Sequence, residues 1–337
     1  MLAALAVILA AGASCGAAPP GLPGRDSAAI REVAEGKRSV ANAAWWGFDP
    51  INATSALQSA IRSGAATVLV PNVGMPWIID PIYLESGQEI DLERGVEIRA
   101  RRGGFRGKVD ALFKLENKSN VAIKGYGATL RMNKDDYRRA PYEKAEWRHC
   151  VSIFGGTDVR ISGVTLAECG GDGIYIAGGG RPYSKDIVIK DVVSENNYRQ
   201  AISVISVEHL RIEDSVLRGT EGTPPSAGVD FEPNVPADRL TGITMKDCVI
   251  EKNASYGIWV YAGRLAAGSL PVAISIEGGR VSGNGEGALF IESGKAKGAV
   301  SIRGTALSGK RSLSAARGFD IKIEDVAPDA AAAKQGP

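Results

Sequence analysis

The stretch "GVDFEPN", residues 228 to 234, alternates valine and phenylalanine with aspartate and glutamate. In a strand, alternate residues leave one face, so Asp230 and Glu232 would stand side by side, about 6.5 to 7 Å apart, opposite Val229 and Phe231. Two carboxyl groups so placed suit acid and base catalysis of glycosidic cleavage. Inversion asks for carboxyls about 6.5 to 9.5 Å apart and retention for about 5 to 5.5 Å, and an i, i+2 pair reaches either range. Asp172 in "CGGDG" and the cationic and aromatic groups Arg148, His149, Tyr198 and Arg199 join that chemistry only if the fold brings their segments together.

A repeat supplies the means. Between residues 120 and 325 one pattern of alternating apolar residues returns eight times: "VAIKG" (121), "VRISG" (159), "IVIKD" (187), "LRIED" (210), "ITMKD" (243), "ISIEG" (274), "VSIRG" (300) and "IKIED" (321). Spacings from 21 to 38 residues predict a solenoid whose coil is a little over twenty residues long, with insertions in some turns. A second pattern follows in "CGGDGIYI", "NYRQAISV", "NASYGIWV" and "NGEGALFI". It stacks Cys169, Asn197, Asn253 and Asn284 at one turn, where asparagine tolerates left-handed backbone and bonds to the neighbouring coil.

Aligning the second strand of each coil places Val151, Ile174, Ile202, Val229, Ile258 and Leu289 in one inward column. Ile153, Ile176, Val204, Phe231, Val260 and Ile291 form the next. The outward column between them reads Ser152, Tyr175, Ser203, Asp230, Trp259, Phe290, and coils about 4.8 Å apart set Asp230 against Trp259 and Glu232 against Tyr261. A column before the strand reads His149, Asp172, Gln200, Ala227, Tyr256 and Gly287. The expected strip therefore holds Asp172, Asp230 and Glu232 as catalytic carboxylates, with Arg148, His149, Tyr198, Arg199, Trp259, Tyr261 and Tyr175 as substrate-binding groups. Aromatic faces pack on pyranose rings, and arginines bind carboxylates or hydroxyls. The same carboxylates equally suit an exposed sheet that needs solvation, and Asp172 suits a turn cap.

These motifs resemble the right-handed parallel β-helix, or pectin-lyase-like, superfamily over roughly residues 50 to 325. "TSALQSAIRSGAATVLVPN" (54 to 72), followed by "IYLESGQEIDLERGVEI", is similar to the start of pectate-lyase-superfamily proteins. The resemblance implies an all-β solenoid with a short N-terminal capping helix, and Ala56, Leu57, Ala60 and Ile61 fall at helical spacing there. Polygalacturonase-type relatives carry Asn-Thr-Asp, Asp-Asp and Gly-His-Gly on successive coils. Here only Asp172 matches, with "YRQA" and "SAGV" at the other two places. Three functions stay open: a glycoside hydrolase using the carboxylates, a polysaccharide lyase or uronate epimerase using Arg199 or Arg148, and a non-catalytic glycan-binding or structural envelope protein. No cofactor or metal is expected, calcium entering only under the lyase reading.

The rest of the chain narrows the context. Forty Lys and Arg balance 38 Asp and Glu, so no strong field draws nucleic acid, and the basic run "RARRGGFRGK" (99 to 108) lacks the interleaved aromatics of a nucleic-acid groove. Residues 1 to 14, "MLAALAVILAAGAS", are apolar but too short to span a bilayer, and read as an export signal. Residues 15 to 45 are expected as tether and N-terminal segment, 46 to 325 as the β-helix, and 326 to 337 as a disordered tail. The expected setting is periplasm, envelope or outside the cell, as a monomer on a polysaccharide, with membrane contact only through a lipid on Cys15. Cys150, Cys169 and Cys248 are odd in number and widely spaced, which predicts buried small apolar side chains rather than a disulfide framework. Two histidines exclude a multi-histidine metal site.

Overall fold

The computed structural model describes residues 22–326. The export signal, Cys15 and residues 327–337 of the tail lie outside the described residues. Each coil gives one strand to each of three parallel sheets, one of eleven strands and two of nine, and neighbours in a sheet come from successive coils. Thr157–Ser162, Thr165–Ala167 and Ile174–Ala177 make one such coil. The chain is thus the expected parallel β-helix. The first of these strands lies in the eleven-stranded sheet, the second in what we call the flank sheet, and the third in the site sheet.

The repeat motifs explain the coil locally. All eight lie in the eleven-stranded sheet. The closing residue of seven of them turns the chain out of that sheet in left-handed backbone: Gly163, Asp191, Asp214, Asp247, Gly278, Gly304 and Asp325, with φ between 50° and 70°. A β-carbon normally makes that conformation costly by about 1 to 2 kcal/mol, glycine escapes it, and aspartate's short polar side chain tolerates it.

The ladder turn works differently from the expectation. Left-handed backbone falls one residue earlier, at Glu168, Asn196, Gly219, Lys252 and Gly283. The asparagines act through their side chains instead. Asn197 Oδ1 accepts from Cys169 N at 3.1 Å, and Asn284 Oδ1 accepts from Asn253 N at 3.1 Å and Nδ2 at 2.9 Å. Thr220 fills the place in the coil of Asp230, giving its N–H and hydroxyl to Asn253 Oδ1. After the ladder comes a column of small residues, Gly173, Ala201, Gly228, Gly257 and Ala288, all buried. A β-carbon on Gly228 would lie 2.3 Å from Ile250 Cγ2 and 2.7 Å from the Gly257 carbonyl, so only glycine lets the coils close there.

Inside the coil, the two inward columns are buried throughout. Val229 and Phe231, fully buried, each contribute about 1.5–3 kcal/mol and so anchor the strand that carries Asp230. The N-terminal end is closed by α2 (Thr54–Ile61), whose Ala56, Leu57, Ala60 and Ile61 are buried as their spacing implied. Ahead of it, within the segment read as tether, α1 (Ser27–Ala34) is capped by Asp26, whose side chain accepts from Ala28 N and Ala29 N. Val40–Asn42 then pairs with Thr67–Val70 and begins the eleven-stranded sheet, so the ordered cap starts before residue 46.

The expectation for the cysteines is corrected. Cys150 and Cys169 form a disulfide, while Cys248 is free and buried. Counting cysteines concealed the pair: Cys150 immediately precedes one strand of the site sheet and Cys169 heads the ladder of the following coil, so 19 residues of chain bring them back to one corner.

Candidate functional site

The site sheet aligns as its columns implied. Ser152, Tyr175, Ser203, Asp230, Trp259 and Phe290 are register partners across successive strands. This outward column is not an open face, however. Ser152, Ser203 and Asp230 have essentially no exposure. On one side Tyr175 stacks on His149, ring centroids 4.6 Å apart, and packs against Phe154. On the other Trp259 stacks on Phe290 at 3.8 Å, with Tyr256 against both. Ser203 and Asp230 lie in a trough between these two aromatic banks.

The polar groups come from three consecutive coils, Asp172 from the first, Arg199 and Gln200 from the second, Asp230 and Glu232 from the third. Asp172, fully buried, accepts Gln200 N on Oδ1 at 3.0 Å. Its Oδ2 has no hydrogen-bond partner, though His149 Nδ1 stands 3.2 Å away. That approach is not an ion pair, because Nδ1 already accepts the Asp172 N–H at 3.0 Å and so carries no proton. The countercharge is Arg199, whose Nη1 is 3.7 Å from Asp172 Oδ2 and whose Nη2 is 3.5 Å from Glu232 Oε2. Burial works against the Arg199 charge, but Asp172, Asp230, Glu146 and Glu232 outweigh it and raise its pKa, so the guanidinium stays protonated.

Asp230 lies beneath Glu232. Burial pushes its carboxyl well above the usual carboxylate range, the Glu232 charge adds to this, and Arg199 only partly opposes it. Gln200 Nε2 approaches Asp230 Oδ2 at 3.4 Å, Gln200 Oε1 accepts from Ser203 Oγ at 3.3 Å, and Asp230 Oδ1 is left without a partner. Glu232 is about one-third exposed and is the carboxylate that meets solvent. A buried carboxyl that favours its protonated form thus sits beside a reachable one, a pairing that can hold one proton between two groups. The Tyr175 phenol, raised by burial and then by Asp172, remains a neutral donor.

The remaining expected residues separate. Arg148 is fully buried and gives its guanidinium to the carbonyls of Phe105, Arg106 and Glu143, against the rings of Tyr137 and Tyr142. It ties two loops together and has no surface to offer a ligand, which corrects its place among the binding groups. Tyr198 lies under Arg138, with its ring against Gly222. Tyr261 is half-buried beside Glu292 of the next coil, and the strand ending at Phe231 stops short of pairing Glu232 with it. Gln200, Ser203, Tyr256 and Phe290 join the trough without having been given a role. Gln200 was legible in one respect, since it follows Asp172 directly in the column before the strand.

Among the described residues no group of three or more His, Cys, Asp and Glu side chains suits a metal ion. A cavity of about 890 Å³ lies on the flank sheet beside Glu97, Arg99, Arg131 and Glu168. Its charges satisfy one another, Arg99 with Glu97 and Arg131 with Glu97 and Glu168. The trough, with partnerless buried polar atoms at Asp172, Arg199 and Asp230, has the chemistry that the flank cavity lacks.

A parallel three-sheet solenoid with a polar trough on one sheet defines the class, and comparison with known proteins agrees. The model of the right handed beta helix region matches residues 139–307, half the chain, and the chain belongs to that family. Over 194 residues it is 24% identical to the SPbeta prophage-derived uncharacterized protein YorA of Bacillus subtilis (strain 168), covering 53% of this chain. The chain spans about a third of that relative's length, 33%. Among solved structures, PfbA, a surface adhesin of Streptococcus pneumoniae, superposes with a TM-score of 0.58 at 14% identity, over 85% of this chain and 77% of its own. A tailspike protein of E. coli bacteriophage HK620, in complex with a pentasaccharide, gives 0.56 at 13%, over 85% and 56%. At such identities these structures speak to the fold alone.

Proposed function

We propose that this protein is a glycoside hydrolase acting on a polysaccharide laid across the trough of the site sheet. The observation that carries the reading is a pair of carboxyl groups two residues apart on one strand, Asp230 fully buried and Glu232 reaching solvent, one coil from the Trp259–Phe290 stack. Donation to a glycosidic oxygen requires a protonated carboxyl that reaches the substrate; burial favours the proton on Asp230, and Glu232, the exposed member of the pair, is the group that would deliver it. Glu232 meets the substrate, and Asp230 sets its protonation. Arg199 and Gln200 hold the carboxylates in place, with Asp172 behind them as the partner that orients both. The Trp259 indole offers the flat apolar face that a sugar ring packs on. A pentasaccharide-bound tailspike among the structural neighbours supports a glycan partner.

The lyase or epimerase reading asks an arginine to act as base, and Arg199 is held in its charged form by its carboxylate neighbours. The same proposal places the protein outside the cytoplasm, as the signal-like N-terminus suggested, and the Cys150–Cys169 disulfide suits an oxidising compartment.

The test is a screen of the purified protein against neutral and uronate polysaccharides, reading new reducing ends and the ultraviolet absorbance of unsaturated products. The expected result is reducing ends without absorbance, abolished in Glu232→Gln and weakened through KM in Trp259→Ala. Absorbance in the products would move the case to a lyase. Glycan binding with no turnover on any substrate would leave a binding protein.

A further inference from the structure

Behind the turn that carries Arg199 lies a second, smaller pocket with a different character. It encloses about 130 Å³ and is lined by Lys134, Tyr137, Arg138, Lys144, Ala145, Gly170 and Tyr198. Three cations and two tyrosines line it, and no carboxylate does. Lys134 is more than nine-tenths buried, and its ammonium donates to a neutral acceptor, Asn196 Oδ1. Neither Lys134 nor Lys144 has an ion-pair partner among the described residues; Arg138 reaches Asp135, an exposed side chain, at 3.6 Å. Arg138 also lies over the Tyr198 ring, 5.1 Å from its centroid, which fixes one wall. The buried Tyr137 hydroxyl has no hydrogen-bond partner.

A buried ammonium without a countercharge is costly, and the cost falls when an anion enters. The volume holds roughly four waters, so it admits one compact oxyanion and not a pyranose ring. We infer that this pocket binds a single oxyanion, the carboxylate of a uronate or the sulfate ester of a sulfated sugar, carried by the glycan that crosses the neighbouring trough. Tyr198 and Arg199 are consecutive, so one turn presents its ring to the pocket and its guanidinium to the carboxylates. The source of the anion rests on the glycan reading; the pocket's affinity for an oxyanion does not.

The experiment is calorimetric titration of the whole protein at constant ionic strength with sodium sulfate, with D-glucuronate and with glucose as the neutral control. It is repeated on Arg138→Ala/Lys144→Ala, which alters only exposed side chains, and on Asp230→Asn. The expected result is saturable binding of at least one anion and none of glucose. Binding should weaken about tenfold or more in Arg138→Ala/Lys144→Ala, the loss of charge-assisted bonds, and stay unchanged in Asp230→Asn. Preference for sulfate identifies a sulfate ester, and preference for glucuronate a uronate. No saturable anion binding, or binding that Arg138→Ala/Lys144→Ala leaves intact, overturns the inference. An inactive enzyme that still binds the anion in this pocket would count against the hydrolase reading alone.

Discussion

Replacing Asp230 by asparagine keeps the shape of the buried carboxyl and removes its ability to ionise. The amide can still accept from Gln200 Nε2 and, like the protonated acid, carries no charge beside Glu232. Asp230 has its folded-state pKa raised by burial first and by Glu232 second. The folded chain therefore holds a proton that the unfolded chain releases above about pH 3.9, and wild-type stability falls as pH rises through that window until the folded carboxyl titrates. Within the window the cost is about 1.4 kcal/mol per pH unit. With an unfolding entropy of about 2.1 cal/mol/K per residue over roughly 300 residues, this corresponds to about 2 °C in Tm per pH unit. Asp230→Asn escapes the penalty. Its Tm should match wild type at pH 3.5 and exceed it by a margin that widens with pH, then levels off. Differential scanning fluorimetry from pH 3.5 to 9 measures this directly. A margin that stays flat, or that shrinks with rising pH, would refute a neutral buried Asp230 and with it the proton-sharing pair.

Two further outcomes concern the frame around the trough. The Cys150–Cys169 bridge closes a loop of 19 residues, so Cys150→Ala/Cys169→Ala should lose about 3 kcal/mol, read as a lower Tm that reductant no longer changes. An unaltered Tm would mean the corner is held by packing alone. Arg148→Lys removes the fork that reaches three carbonyls from one planar group, and a single ammonium cannot replace it. Limited proteolysis should then cut within 101–112 or 133–147 much faster than in wild type, and equal rates would show that the two loops do not depend on this side chain.

Side-chain periodicity made the solenoid and its columns readable, because a strand has a period of two and a coil repeats its corner chemistry. The inward and outward columns through Val229 and Asp230 follow from that period and are observed as register partners. What periodicity could not convey was cover. It says which way Asp230 points, and nothing about its cover; Ser203 and Asp230 are fully buried between the strands of Tyr175 and Trp259, where an exposed strip was expected. Arg148 was misjudged for a related reason, since its partners are main-chain carbonyls of loops far along the chain, which no side-chain pattern records. The α1 helix, eight residues flanked by a proline- and glycine-rich stretch, was too short to stand out. The disulfide depends on coil length and corner geometry together, so spacing and parity pointed away from it.

The site is spread along the helix axis, one or two groups per coil: Asp172, then Arg199 with Gln200, then Asp230 with Glu232, then Trp259. Axial distance between these groups is therefore set by the rise of about 4.8 Å per coil and not by the length of any loop. Duplicating or deleting a coil would move the indole relative to the carboxylates in fixed steps while the apolar stack healed around the change. A chain built this way can retune the length of ligand it spans by counting turns, much as a ruler is lengthened by adding marks, without redesigning any single group on it.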